Sequence, residues 1–143
     1  MLTNKRQIHI EWGDCDPLGI VYFPRYFEFF DACTNALFER VGLPKLQLLK
    51  KYSIAGIPLV DARARFITPS AFGDTVSVES RILEWGKTSF SVEHKLFRRE
   101  ELAVEGFEKR VWIVKDGKVE RGIRGEEIPR EVKELFGGVE GGG

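Results

Sequence analysis

Several residue types are scarce in this sequence, and each scarcity excludes a class of protein. Only two cysteines occur among 143 residues, Cys15 and Cys33, and no signal-peptide pattern precedes them. We therefore expect two reduced thiols in a cytoplasmic protein rather than a disulfide framework. No apolar run approaches the roughly 18 residues that a membrane-spanning helix needs. No serine lies in a G-x-S-x-G motif, so nothing supports a serine hydrolase.

An excess of one charge is also lacking. Lys plus Arg number 22 and Asp plus Glu number 22, so the chain has no basic surplus of the kind that nucleic-acid-binding proteins carry. We expect neither a nucleic-acid partner nor a membrane partner, and any anionic ligand must be met by a local cluster. The length fits one domain over residues 1–136, followed by a flexible glycine-rich tail over residues 137–143.

The hydrophobic pattern changes once along the chain, from helical to alternating. A strand is predicted over residues 6–12, with Ile8, Ile10 and Trp12 on its apolar face. A long helix is predicted from Pro24, which suits a first turn, to about Val41. A second helix over 45–51 follows. Later strands are predicted over 57–66, 75–85, 88–98, 103–115 with a bulge near Gly106, and 119–123, before a short helix over 129–136.

The long predicted helix is apolar over most of its circumference, so it needs burial on nearly every side. Consecutive antiparallel strands of about eleven residues, roughly 35 Å long, can curl around such a helix. The predicted fold class is therefore α+β, a long antiparallel sheet wrapped around a central apolar helix. One sheet leaves part of that helix uncovered, so we expect a second subunit and a homo-oligomer.

Two acids, Asp14 and Asp16, lie on the loop between the first strand and the long helix. The segment Asp16-Pro17-Leu18-Gly19 has the composition of an ordinary turn, yet a carboxylate at the edge of a core is also a frequent catalytic group. Both interpretations of Asp16 stay open. A metal site lacks a histidine or third acid at suitable spacing, and no histidine can be assigned as a partner for a Cys15 nucleophile.

Other polar residues also allow a structural and a functional interpretation. Asp31 interrupts the aromatic helix, as either a solvated flank or a polar contact at a pocket wall. His94 shares a strand face with apolar residues, which favours a hydrogen-bonded core or interface histidine. The basic residues Arg63, Arg65 and Lys87 form either a solvated surface or a phosphate-binding surface. Lys87-Thr88-Ser89, directly after a glycine turn, is the most attractive phosphate candidate.

The acidic loop and several later motifs, taken together in their order along the chain, resemble a known enzyme family. The segment Glu11-Trp-Gly-Asp-Cys-Asp-Pro-Leu-Gly-Ile-Val-Tyr22 is similar to the opening signature of the 4-hydroxybenzoyl-CoA thioesterase family, which has the hotdog fold. The likeness covers roughly residues 6–115. The further matching motifs are Pro24-x-Tyr26, Asp31-Ala32, Gly42-Leu43-Pro44, Gly56-Ile-Pro58, Glu84-Trp85 and Ser89-Phe90.

The resemblance implies hydrolysis of an acyl-CoA thioester without a cofactor or metal. Asp16 corresponds to the family's catalytic carboxylate and would act as nucleophile or general base, while Asp14 would be structural. The acyl group would contact Tyr22, Phe23, Phe27 and Asp31. The CoA phosphates would lie near Arg63, Arg65, Lys87, Thr88 and Ser89, and the assembly would be a dimer of dimers.

Two departures from the family weaken the assignment to 4-hydroxybenzoyl-CoA itself. Phe23 lacks the hydroxyl or imidazole of many relatives, and the turn before Ser89 has one basic residue where some aryl-CoA relatives have several. The alternatives are a thioesterase for short or medium aliphatic acyl-CoA or acyl carrier protein, and a non-enzymatic acyl-CoA-binding protein. A dehydratase of the same fold would need a histidine near the acid, and none lies between His9 and His94.

Overall fold

A five-stranded antiparallel sheet and a long helix form the centre of this computed structural model, which describes residues 2–137. The sheet order is β1-β3-β4-β5-β2. A separate two-stranded ribbon is formed by β6 and β7. The predicted α+β class is confirmed, and the predicted tail lies outside the described residues from position 138 onward. The bounds are β1 Thr3–His9, α1 Pro24–Arg40, α2 Lys45–Tyr52, β2 Leu59–Phe66, β3 Thr75–Trp85, β4 Ser89–Arg98, β5 Glu101–Val111, β6 Ile113–Lys115, β7 Ile123–Gly125 and α3 Arg130–Leu135.

The long helix α1 begins and ends close to where the sequence predicts. Pro24 occupies its first turn, where a missing N–H costs no helical hydrogen bond. At the other end Gly42 has φ +86, the left-handed conformation that closes a helix, and its N–H donates to the Glu39 carbonyl at 2.9 Å. The helix therefore spans 17 residues, about 25 Å at 1.5 Å per residue.

Two hydrophobic clusters hold α1 against the sheet. One surrounds Leu37 and Phe38 and includes Phe90 and Trp112, and the other surrounds Tyr26, Phe30 and Cys33. In the second cluster the ring of Phe30 lies against Gly106 on β5, where any Cβ would collide with it. A glycine is required at position 106 because the helix approaches the strand so closely there.

The structure corrects three predicted strands. The first strand begins at Thr3 and ends at His9, and Trp12 lies in a 3-10 helix (Trp12–Asp14) with 64% of its surface exposed. The predicted strand 103–115 is divided at Trp112, because β5 ends at Val111 and residues Ile113–Lys115 pair with β7 instead of β4. The last short strand begins at Ile123, four residues later than predicted.

The register of β5 also differs from the prediction. Leu96 pairs with Val104 and Phe97 with Leu102, so Ala103 is the additional residue of the bulge. Gly106 itself pairs regularly with His94 on β4. The predicted bulge is therefore present but lies three residues before Gly106, and the consecutive burial of Ala103 and Val104 shifts the alternation of the strand.

Strand β2 lies at the edge of the sheet and is poorly covered. It pairs with β5 alone among the strands described, and Leu59, Val60 and Phe66 are largely exposed. The apolar face predicted for residues 57–66 is therefore mostly open. By contrast, none of the large apolar residues exposed within residues 2–137 lies in α1, so the helix has no large exposed apolar residue of the kind that β2 has.

Candidate active site

The acidic loop folds back on itself between the 3-10 helix and α1. Cys15 and Val21 form an isolated β-bridge, and the N–H of Asp16 donates to the Ile20 carbonyl at 2.9 Å. Between them Gly19 has φ +79 and donates its N–H to the Asp16 carbonyl at 2.9 Å. Tyr22 then bonds to the Asp14 carbonyl at 2.8 Å, which fixes the approach to α1. The loop is thus a rigid turn with its acid held at the edge of the core.

Asp16 is a turn residue, the structural interpretation that its sequence context allows, and its side chain also forms part of a cavity wall. Its Oδ1 accepts a hydrogen bond from the Leu18 N–H at 2.8 Å, the bond expected of an aspartate at the start of a turn. Within residues 2–137 no hydrogen bond to Oδ2 is found. The half-buried side chain lines a groove, so a carboxylate with one anchored oxygen and one unpaired oxygen lies at this groove.

The groove beside Asp16 has a volume of about 450 Å³ and is mostly apolar. Its size is within the range of small-molecule sites. Tyr22 and Phe23 lie on its wall, as the sequence predicts, whereas Phe27 and Asp31 are not among its lining residues in one chain. The lining comes from the loop, the start of α1 and the segment after β2, and comprises Asp16, Ile20, Val21, Tyr22, Phe23, Tyr26, Phe66, Ile67, Thr68 and Pro69.

A backbone donor lies on the same groove. The N–H of Phe23 precedes the first turn of α1 and has no hydrogen-bond partner in the described part of the chain. Neighbouring N–H groups are occupied, because Tyr22 bonds to Asp14 and Arg25 bonds to the Tyr22 carbonyl at 2.8 Å. The N-terminal end of a helix favours negative charge. An oxyanion near Phe23 would therefore find a donor already oriented.

The neighbouring candidates on the loop have structural contacts instead. Asp14 Oδ2 accepts the Glu11 N–H at 2.9 Å and so closes the 3-10 helix. Burial, and then the nearby carboxylates of Asp14 and Asp16, raise the pKa of the Cys15 thiol. A raised pKa reduces the thiolate population that a cysteine nucleophile needs. Over residues 2–137 no group of three or more His, Cys, Asp or Glu side chains is placed to hold a metal ion.

A buried polar network, which the sequence pattern did not reveal as a unit, lies between α1 and the sheet. His94 is fully buried, stacks on Phe30 with ring centroids 4.8 Å apart, and bonds through Nδ1 to the Ser80 hydroxyl at 2.7 Å. Thr34 contacts His94 Nε2 at 3.2 Å and donates to Glu108 Oε1. The expectation of a hydrogen-bonded core histidine at position 94 is confirmed.

Glu108 and Arg110 form the charged half of this network. Both are almost completely buried, and Arg110 donates Nε to Glu108 Oε1 at 3.0 Å and Nη2 to Oε2 at 3.1 Å. Arg110 also donates to the Ile57 carbonyl at 3.0 Å and to Asp31 Oδ1 at 2.7 Å. Asp31 therefore lies at the outer end of a buried chain of hydrogen bonds, and 51% of its side chain is exposed.

The predicted basic residues lie in two places. Arg63 and Arg65 line a second groove on β2, where they pair with Asp61 and Glu105, both at 3.3 Å. Lys87 is exposed on the β3–β4 turn together with Thr88 and Ser89. Arg63 pairs with Phe107 and Ser89 with Val111 on β5, so the two places are about 13 Å apart along that strand.

The sequence analysis did not identify one basic residue that lies near the Lys87 turn. Lys133 on α3 donates its Nζ to the Gly86 carbonyl at 3.1 Å. It lies more than forty positions from Lys87 in the chain, so only the packing of α3 against the turn brings the two cations together. Two lysines therefore lie at this turn, Lys87 within it and Lys133 beside it on α3, where the sequence suggested one.

Comparison with known proteins identifies the family. The sequence model of the thioesterase-like superfamily matches residues 10–136. The chain belongs to this superfamily. It is also 36% identical over 135 residues to the 4-hydroxybenzoyl-CoA thioesterase of Pseudomonas sp. strain CBS-3, covering 90% of this chain and 94% of that protein.

Two solved structures of the superfamily are similar to this one. The first is a mutant 4-hydroxybenzoyl-CoA thioesterase complexed with 4-hydroxybenzoyl-CoA, 32% identical, covering 94% of this chain and 98% of that one, with a TM-score of 0.85. The second is a gentisyl-coenzyme A thioesterase that is 28% identical. The match covers 94% of this chain and 99% of that one, with a TM-score of 0.79. The predicted family, hotdog fold and thioesterase class are confirmed. Within residues 2–137 no helix is long and apolar enough to cross a membrane.

The Glu108 carboxylate makes a testable contribution to stability. Burial alone would raise the pKa of Glu108, but the hydrogen bonds and charges of His94 and Arg110 outweigh it and lower that pKa from 4.5 to about 2. A carboxyl whose pKa is lower when folded stabilises fully above its unfolded pKa, and the contribution is lost as pH falls through the folded value. The window is therefore from about pH 4.5 down to about pH 2.

Glu108→Gln should lower the free energy of unfolding at pH 7 by roughly 3 kcal/mol, because it leaves Arg110 without its buried counter-charge. The difference from the wild type should shrink as pH falls from about 4.5 towards 2. Urea unfolding at several pH values measures both effects. Glu105→Gln, on the same strand but partly exposed, should cost under about 1 kcal/mol. If both variants lost the same free energy of unfolding, the stabilising role assigned to the buried Glu108 carboxylate would be contradicted.

Proposed function

We propose that this protein hydrolyses acyl-CoA thioesters with Asp16 as the catalytic carboxylate, and that its preferred acyl group is a hydroxylated aryl group. The supporting observation is the carboxylate of Asp16 on a rigid turn, with one oxygen anchored and the other at an apolar groove. Family membership supports the thioesterase activity. The hydroxybenzoyl and gentisyl names of two relatives support the aryl preference.

A thioester needs little help from the enzyme beyond a base or nucleophile. The free oxygen of Asp16 attacks the acyl carbon, the C–S bond breaks with loss of CoA thiolate, and water hydrolyses the resulting mixed anhydride. Alternatively the same oxygen takes a proton from a water molecule that attacks the carbon directly. Both routes pass through a tetrahedral oxyanion. The proposed donor to that charge is the Phe23 N–H at the start of α1, which has no partner within residues 2–137.

Replacing the carboxylate with an amide of the same shape isolates this role. Asp16→Asn should reduce kcat about 100-fold or more, because an amide is neither a base nor a comparable nucleophile. The turn should persist, since the amide oxygen can still accept the Leu18 N–H. Thiol release from benzoyl, 4-hydroxybenzoyl, phenylacetyl and aliphatic CoA esters measures both activity and preference.

The matched control for this variant is Asp14→Asn, two residues away. It keeps an oxygen to accept the Glu11 N–H and should retain near-wild-type turnover. Near-normal turnover by Asp16→Asn would overturn the catalytic assignment. If wild-type protein released thiol fastest from aliphatic esters, the aliphatic alternative, which the apolar groove also fits, would replace the aryl preference. If it released none, the protein would be an acyl-CoA-binding protein instead.

The open edge of the sheet supports a two-fold dimer. Unpaired strand edges with exposed apolar residues are readily covered by another strand, and β2 presents Leu59, Val60 and Phe66. Antiparallel pairing of β2 with its copy about the strand centre would place Leu59 of one protomer beside Phe66 of the other. The Asp16 groove includes Phe66. The groove of one protomer would thus lie beside the start of β2 in its partner.

This pairing would bring Asp31 to the groove of the other protomer. Arg110 pairs with Leu59 in register and holds Asp31 beside Ile57, so Asp31 is near the start of β2. In the dimer its carboxylate would face the far end of the acyl group, with Tyr22 and Phe23 closer to the thioester. A crevice shared by two protomers explains why Asp31 does not line the groove of a single chain.

The dimer is tested by the molar mass in solution. Light scattering should give at least twice the mass of one chain, and four times if dimers pair as expected. Val60→Asp should shift the population towards monomer and reduce turnover, because a charge on the covered edge must lose its water. Val119→Asp, also exposed but in a remote turn, should do neither. A monomeric wild-type protein at all concentrations would contradict the shared crevice.

The CoA phosphates are proposed to bind at the Lys87 turn, with Arg63 and Arg65 as a further basic surface. Lys87 and the neighbouring Thr88 and Ser89 offer a cation and two hydroxyl donors, and Lys133 adds a second cation beside Gly86. Arg63 and Arg65 are each paired with a carboxylate, so they carry less uncompensated charge. The Lys87 turn is therefore the stronger phosphate candidate.

Lys87→Glu should raise KM for acyl-CoA several-fold while changing kcat little, because a phosphate contact is made equally in the ground state and the transition state. Steady-state kinetics at low ionic strength measure the two constants. Lys118→Glu, an equally exposed charge reversal in the turn before β7, is the control and should leave both unchanged. A fall in kcat without a rise in KM would argue against phosphate binding at this turn.

A further inference from the structure

Asp31 is held more firmly than a surface aspartate needs to be. A single Arg110 nitrogen at 2.7 Å fixes its Oδ1, and the guanidinium behind it is buried and bidentate on Glu108. A buried ion pair is costly to assemble and adds little net stability compared with apolar side chains of the same size. Stability alone therefore gives no reason for this arrangement, and its one exposed terminus is the Asp31 carboxylate.

The network leaves Asp31 with one oxygen for a ligand. Within the described residues the structure gives no hydrogen bond to Oδ2 of Asp31, whereas Oδ1 is occupied by Arg110. An ionised carboxylate can only accept hydrogen bonds, so its complement must bring a donor. A hydroxyl group on the acyl chain meets this requirement, and an unsubstituted ring or a methoxy group does not.

We infer that Arg110, itself held by Glu108, is a positioning residue that orients Asp31 to accept a hydrogen bond from a hydroxyl on the acyl group. The inference rests on the proposed function, because it assumes that Asp31 reaches the acyl group in the dimer. Arg110 acts through Asp31 and does not touch the substrate. Thr34 and His94 orient Glu108 on its other side, which extends the support back to the core.

Lysine cannot replace this arginine. Arg110 donates from three nitrogens at once, to Glu108, the Ile57 carbonyl and Asp31. A lysine has one ammonium group, which cannot serve all three acceptors in the geometry of a planar guanidinium. Arg110→Lys therefore keeps a buried positive charge against Glu108 while releasing Asp31.

The measurement is the ratio of kcat/KM for 4-hydroxybenzoyl-CoA to kcat/KM for benzoyl-CoA. Arg110→Lys should lower this ratio about tenfold, the effect expected for losing one hydrogen bond to a charged group, with a smaller change for benzoyl-CoA. Asp31→Asn should lower the ratio by a similar factor. In the double variant, Arg110→Lys should add no further loss, because it acts through Asp31.

A control variant, a substitute variant and a stability measurement separate this inference from a structural role. Arg81→Lys, in a half-buried ion pair with Glu93 on the neighbouring strands, should leave the ratio unchanged. If Arg110→Lys proves too unstable to purify, Thr34→Val removes one hydroxyl contact to Glu108 and should lower the ratio in the same direction. Thermal unfolding of each variant shows whether a change in ratio is merely a loss of folded protein.

The outcomes distinguish two failures. If Asp31→Asn lowers the ratio but neither Arg110→Lys nor Thr34→Val does, the positioning role is wrong while the proposed function stands. If Asp31→Asn leaves the ratio unchanged while benzoyl-CoA is still hydrolysed, the contact of Asp31 with the acyl hydroxyl is wrong, and the inference falls with it. Additive losses in the double variant would also overturn the inference, because two independent effects need no connection between the residues.

Discussion

The packing of α1 against the concave face of the sheet is the constraint on which the rest of this structure depends. The buried residues of the helix recur every three or four positions and so form one face against the sheet: Tyr26, Phe30, Cys33, Thr34, Leu37 and Phe38. One close approach is between Phe30 and Gly106, where a Cβ would collide with the ring. This contact sets the depth at which the helix lies. The acidic loop, which leads directly into the helix, is positioned as a consequence.

The acidic loop shows how a turn residue can also line a cavity. Asp16 holds the turn through one oxygen, and its side chain lines an apolar groove. A carboxylate already held in one orientation loses little further conformational freedom on meeting a ligand, and such preorganisation is a general source of catalytic rate. The structural interpretation of the Asp16 segment is therefore compatible with the proposed catalytic one.

The buried polar network joins the core to the edge of the sheet. His94 and Ser80 lie deep under α1, Glu108 and Arg110 follow along β5, and Asp31 ends the chain at the surface. Each member satisfies the hydrogen bonds of the next, so the network is stable only if it is complete. A network of this kind makes the orientation of its outer carboxylate a property of the whole fold. The sequence pattern does not reveal these residues as one network, since they are spread over about eighty positions of the chain.

Sequence by itself determined the elements and the family. Periodicity located α1 within one residue at its end and identified the buried faces of β3 and β4, because those patterns depend on neighbours only a few positions apart. Motif order identified the loop and its aspartate.

Only the tertiary structure decided three things: that Trp12 leaves the first strand, that β2 is an exposed edge, and that Asp31 is tied to Arg110 rather than to the Asp16 groove. The physical reason is the same in each case. Burial and hydrogen-bond pairing are set by residues far apart in the chain, and their contact exists only once the helix and sheet have packed.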